Sequence, residues 1–137
     1  MAIPFSRMFA TLVGPGFLMN RAGGSGVGFK TGAGGAVTQI TSSSTGVTLN
    51  KHCGQITTVA LTTAAAAEEE FTVTCDKVAA TDVVVLSTTY AGAGTPMLSV
   101  KGTAAGSFKI VITNVHAANA LNAVMVINYA VVKSVAA

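Results

Sequence analysis

From residue 37 onward the chain alternates apolar and polar positions in short runs, not at the 3.6-residue spacing of a helix. The clearest run is Phe71-Thr-Val-Thr-Cys75, which puts Phe71, Val73 and Cys75 on one face and two threonines on the other. Phe108, Ile110 and Ile112 repeat the pattern against Lys109, Val111 and Thr113. Runs of this kind, rich in β-branched residues, occur at 37–41, 47–51, 55–59, 69–75, 83–86, 97–101, 107–113 and 124–132. Eight short strands in about a hundred residues predict an all-β domain, a β-sandwich or jelly roll of antiparallel strands.

Two segments depart from simple alternation. Val83-Val-Val-Leu86 is apolar throughout, which predicts a strand covered on both faces, by its own fold or by a neighbouring subunit. Ala64 to Ala67 followed by three glutamates has strong helix propensity but is only about two turns long, so a loop or one helical turn is expected there. Turn chemistry separates the other runs: Tyr90-Ala-Gly-Ala-Gly-Thr-Pro96, Gly102-Thr-Ala-Ala-Gly106 and Ser42-Ser-Ser-Thr-Gly46.

The pattern changes before residue 37. Residues 1–36 hold nine of the fifteen glycines, and fixing the run from Arg21 to Gly35 without a partner would cost much backbone entropy. This segment is read as an N-terminal arm, with residues 37–137 as the β-sandwich domain. Phe5, Phe9, Phe17 and Leu18 make it apolar, and Gly14-Pro15-Gly16 interrupts any helix. The same interruption, with no Ala-x-Ala site after it, argues against an export signal. The other apolar run of similar length, 123–132, is too short to cross a bilayer as a helix, so no membrane partner is expected.

Charge sharpens this division. The chain carries eight basic and five acidic residues, a net charge of +3, and Arg7, Arg21 and Lys30 of the arm account for the whole excess. Three dispersed cations with no interleaved aromatic cluster do not make a nucleic-acid surface. Only 9% of residues are charged against 50% hydrophobic, where a soluble domain has about 25% charged. Much of the surface is therefore expected to lie against other protein.

Candidate chemistry is sparse. Gly23-Gly-Ser-Gly-Val-Gly28-Phe-Lys-Thr31 approaches a phosphate-binding loop, but Phe29 separates the glycine from the lysine. Cys53 and Cys75 read as free thiols, with a disulfide left open. A metal site would require His52-Cys53, Cys75-Asp76 and His116 to converge, and adjacent strand residues point to opposite faces. No nucleophile stands in a recognisable catalytic context. No metal, cofactor or enzymatic activity is expected. Glu68-Glu69-Glu70 reads as a solvated edge that discourages stray strand pairing, or as an ion-pairing patch for a basic partner.

The stretch from Val37 to Asn50, Gly54-Gln-Ile-Thr-Thr58, Phe71-Thr-Val-Thr74 and Ala105 to Asn122 resembles a small β domain common among tailed-bacteriophage virion proteins. Asn114-Val-His-Ala-Ala-Asn-Ala-Leu-Asn122 is its most specific part. The resemblance covers about residues 37–135 and implies a non-enzymatic structural or adhesive virion component. Two functions fit it. The first is a capsid decoration, or cement, protein on the virion surface, made in the host cytoplasm. It would form a homo-oligomer, expected as a trimer, and would hold the major capsid protein through Phe5, Arg7, Phe9, Phe17, Leu18 and Arg21 of the arm. The second is a head or tail fibre module that contacts a host glycan or another fibre protein through Tyr90, His116, Asn119 and Asn122 in exposed loops.

Overall fold

β-branched and aromatic residues form the strands of the computed structural model, which describes residues 18–19, 27–29 and 32–136. The chain divides into two compact units, residues 1–34 and 35–137. In the first, β1 (Leu18–Met19) pairs antiparallel with β2 (Val27–Gly28), Leu18 opposite Gly28 and Met19 opposite Val27. Of the arm residues expected to bind a capsid, Leu18 falls in β1; Phe5, Arg7, Phe9, Phe17 and Arg21 lie outside the described residues.

The second unit is an all-β sandwich. Its strands are β3 (Gly34–Thr38), β4 (Val47–Thr48), β5 (Cys53–Thr57), β6 (Glu68–Thr74), β7 (Val83–Tyr90), β8 (Pro96–Ala104), β9 (Ser107–Asn114) and β10 (Met125–Val132). One sheet has the order β3-β5-β10-β7, the other β4-β6-β9-β8. Most neighbours are antiparallel, but β4 runs parallel to β6. β3 and β5 are parallel too. The Gln39 amide donates to Thr57 O (2.9 Å) at one end, and a Cβ on Gly54 would lie 2.9 Å from Gly35 O at the other.

Alternation decides which side chains enter the core. Met125, Ile127, Tyr129 and Val131 of β10 are buried beside Ile56 of β5, and they face Phe71 and Val73 of β6 and Phe108, Ile110 and Ile112 of β9. Burial of each large aliphatic side chain is worth roughly 1.5–3 kcal/mol, so this cluster supplies most of the drive to close the sandwich. Leu61 and Leu121, from loops, close one end.

Three local features differ from the pattern read in the sequence. β3 starts at Gly34, inside the glycine-rich run. β7 continues through Ser87-Thr-Thr to Tyr90, because register pairing with β10 extends from Val83–Val132 to Tyr90–Met125. The alanine-rich segment forms a tight turn in which the Ala67 amide donates to Ala64 O (3.2 Å) and Ala66 takes a left-handed φ of 57°. No helix occurs among the described residues.

Candidate interaction surface

The outward positions of the first sheet carry no charge. They are Gly34, Ala36 and Thr38 on β3, Cys53, Gln55 and Thr57 on β5, Val126, Asn128, Ala130 and Val132 on β10, and Val83, Val85, Ser87 and Thr89 on β7. Register places Val83 opposite Val132, and Ala130 between Val85 and Cys53, which gathers the apolar residues at one end except Val126, which lies between Thr57 and Thr89. Val83, Val85 and Val132 are 54%, 53% and 50% exposed. Toward the other end Asn128 lies between Gln55 and Ser87, and the Gln55 amide donates to Asn128 Oδ1 (3.2 Å). The all-apolar start of β7 thus has one face in the core, through Val84, and one face that the other strands of the sandwich leave open. The chain's own sandwich does not cover its outer face.

Charge is concentrated on the opposite sheet and in turns. Glu70 on β6 accepts from Lys101 Nζ (2.6 Å) and Lys109 Nζ (2.8 Å). Hydrogen bonds from Lys101 and then Lys109 hold the Glu70 carboxyl below the usual carboxylate range, and the same contact with Glu70 raises the Lys101 ammonium. Both lysines line an open cleft of about 310 Å³ with Thr72, Gly102, Thr103, Ala104, Ser107 and Phe108. Glu69 accepts from the hydroxyls of Ser43 and Thr63. The three glutamates therefore do not act as one patch: Glu70 is neutralised within the sheet, Glu69 ties two loops, and Glu68 is exposed. Because β4 pairs only with Val73 and Thr74, these glutamates also sit where β6 lacks a strand neighbour on that side among the described residues.

The loop residues expected to serve recognition fall into two hydrogen-bonded groups. Tyr90 Oη donates to Ala93 O (2.7 Å) and accepts from the Asn122 amide (2.7 Å), while Asn122 Oδ1 accepts from the Ala93 amide (2.7 Å). His116 Nδ1 accepts from the amides of Ala118 (3.1 Å) and Asn119 (2.9 Å). The residue that organises this end is Asn114, fully buried at the end of β9. Its Nδ2 donates to the carbonyls of Thr63, Ala64 and Asn119, and its Oδ1 accepts from the amides of Thr95 and His116. In the sequence Asn114 only opens the run to Asn122, with nothing local that gives it a role. A short amide side chain at the boundary between a strand and a long loop is the signal that could have singled it out.

Both cysteines are free thiols. Burial raises the half-buried Cys53 thiol. Cys75 is enclosed in the core, and its Sγ donates to Lys51 O (3.2 Å). Among the described residues no group of three or more His, Cys, Asp or Glu is placed to hold a metal ion, and no helix is long and apolar enough to cross a membrane.

No protein-family model, curated protein or solved structure matches this chain.

Proposed function

We propose that this chain is a structural virion protein that decorates the head of a tailed bacteriophage, binding the assembled capsid and adding contacts between neighbouring capsomers. The observation that carries the reading is the charge-free outer face of the β3-β5-β10-β7 sheet, with half-exposed valines at one end. An antiparallel sheet face left in water ordinarily alternates to polar and charged residues. A face without charge loses little on desolvation against other protein.

The N-terminal arm supports the same reading. Its apolar side chains and Arg7 and Arg21 occur without any acidic residue, a composition suited to an acidic, partly apolar capsid surface. Binding only the assembled shell stabilises that shell by mass action and needs no catalysis. The protein acts as a homo-oligomer at the virion surface. A fibre module is supported less, because Tyr90, Asn122 and His116 each place polar atoms in contacts within or between these loops.

Quantitative mass spectrometry of purified virions tests the reading. Copy number near parity with the major capsid protein is the expected result. A few copies per particle would move the protein to a fibre or tail, and absence would overturn the virion reading. Deletion of residues 1–33, which keeps all of β3, should leave a folded domain that no longer binds heads; continued tight binding would remove the arm from the mechanism.

A further inference from the structure

Each sheet of the sandwich has two outer strands, and a free strand edge invites pairing with another chain unless something blunts it. Three of the four edges are blunted. β4 is two residues long. β8 begins at Pro96 and has a register shift between Val100 and Gly102, with Lys101 at the irregularity. β3 is five residues long and opens with two glycines, which weaken a strand.

β7 carries none of these devices. It runs eight residues, pairs with β10 in unbroken register, and contains no charge, proline or glycine. Charge does not guard its ends either. Asp82, just before it, is bound by Lys133 Nζ (2.6 Å), and the segment after it, Ala91 to Thr95, is uncharged.

We infer that β7 is the self-association edge of this protein, pairing antiparallel with β7 of a second copy across a two-fold axis near Leu86. Three observations favour a second copy over another occupant. β7 is uncharged along its whole length, apolar from Val83 to Leu86 and hydroxyl-bearing from Ser87 to Thr89, so antiparallel self-pairing sets the Val83 end against the Thr89 end with no charge on either side. No like charges meet across the axis. The pairing also joins the two charge-free outer faces side by side into one eight-stranded surface.

Strand-edge pairing alone buries less than the ~800 Å² per partner of a standard interface, so the dimer dissociates on dilution in the micromolar range. A threefold ring does not supply this two-fold contact. The inference is independent of head binding and stands if that reading fails.

Sedimentation equilibrium of the full chain, from about 1 to 200 µM, should reach twice the 13.6 kDa chain mass. The double substitution Val85→Lys with Ser87→Lys, at two outward positions, should keep the cooperative melt and abolish the concentration dependence. Hydrogen exchange of the unaltered protein provides a second measurement that does not depend on the variant folding. Free-edge amides of β7 should be protected at high concentration and lose that protection on dilution. A monomer at every concentration, or a folded double variant with unchanged mass, would overturn the inference. So would β7 protection that persists in the dilute monomer, which would assign the edge to the chain's own N-terminal segment.

Discussion

The ring of Phe108 on β9 lies 5.3 Å, centroid to centroid, from that of Tyr129 on β10 and is tilted by 54°, so one aromatic pair crosses the core between the sheets. The Tyr129 hydroxyl reaches past this contact to the carbonyls of Leu49 (3.1 Å) and Lys51 (3.0 Å), which anchors the chain between β4 and β5. Desolvation, and next the nearby Cys75 thiol, push the Tyr129 phenol well above its ordinary value.

The raised Tyr129 phenol predicts an alkaline limb in stability. Folding favours the neutral phenol, so its contribution is complete below the unfolded value, about pH 10, and is lost as pH rises toward the higher folded value. Tyr129→Phe keeps the ring contact, costs about 1 kcal/mol near neutrality, and should flatten the decline in melting temperature between about pH 9.5 and 11.5. Cys53, also raised, contributes in the same direction and stays in both proteins as a common background. Equal alkaline slopes for the two proteins would remove Tyr129 from this role.

Asn114 should be the most sensitive polar residue of the domain. Asn114→Ala takes the side-chain donor from the Asn119 carbonyl and the acceptor from the Thr95 and His116 amides, while the Thr63 and Ala64 carbonyls keep the Leu121 and Ala67 amides, a loss of about 2 kcal/mol or more in urea unfolding. Asn119→Ala changes an exposed side chain on the same loop and should stay within about 0.5 kcal/mol of the unaltered protein.

Two glycines separate backbone strain from steric exclusion. Gly106 has a φ of 83°, and a Cβ at that position would have no other atom within 4 Å, so Gly106→Ala costs only the left-handed penalty, about 1–2 kcal/mol. At Gly54 a Cβ would fall 2.5 Å from Leu49 Cδ2, 2.9 Å from Gly35 O and 3.0 Å from Tyr129 Cε1. Gly54→Ala should therefore cost more than Gly106→Ala, because backbone and a core ring must both move. Denaturant midpoints of the two variants give the comparison.

The Asp82 carboxylate is 1% exposed and accepts from Lys133 Nζ (2.6 Å) and the Ala79 amide (2.7 Å). These contacts, the lysine first, hold it below the usual carboxylate range. Its contribution is present above the unfolded value near 3.9 and disappears as pH falls through the lower folded value. Asp82→Asn should lower stability at pH 7 by about 1–3 kcal/mol and reduce the acid slope below about pH 4. Glu70, also depressed, retains part of that slope. An unchanged acid limb would show that Asp82 is uncoupled from folding.

Much of the fold was legible because strand signals are local. The alternation from Phe71 to Cys75 and from Phe108 to Ile112 names side chains that are buried in the sandwich. The end of β7 was not legible in the same way. Ser87-Thr-Thr-Tyr90 lacks an apolar alternation, and only pairing with β10 makes it strand. The position of the uncharged face was not legible either. Sparse charge predicts covered surface, yet Val83, Val85 and Val132 become one patch only through register.

By itself, the sequence determined the all-β class, the number of sandwich strands and the inward faces of the Phe71–Cys75 and Phe108–Ile112 runs, since a period of two along a short run already assigns each side chain to a face. It also determined that charge is scarce in the sandwich domain and that the basic excess belongs to the arm. Tertiary structure alone decided the parallel β4–β6 pairing, the hub at Asn114, the neutralisation of Glu70 by two lysines, and the gathering of uncharged positions on one sheet. These features join residues far apart in the chain, and no local periodicity records which strand lies beside which.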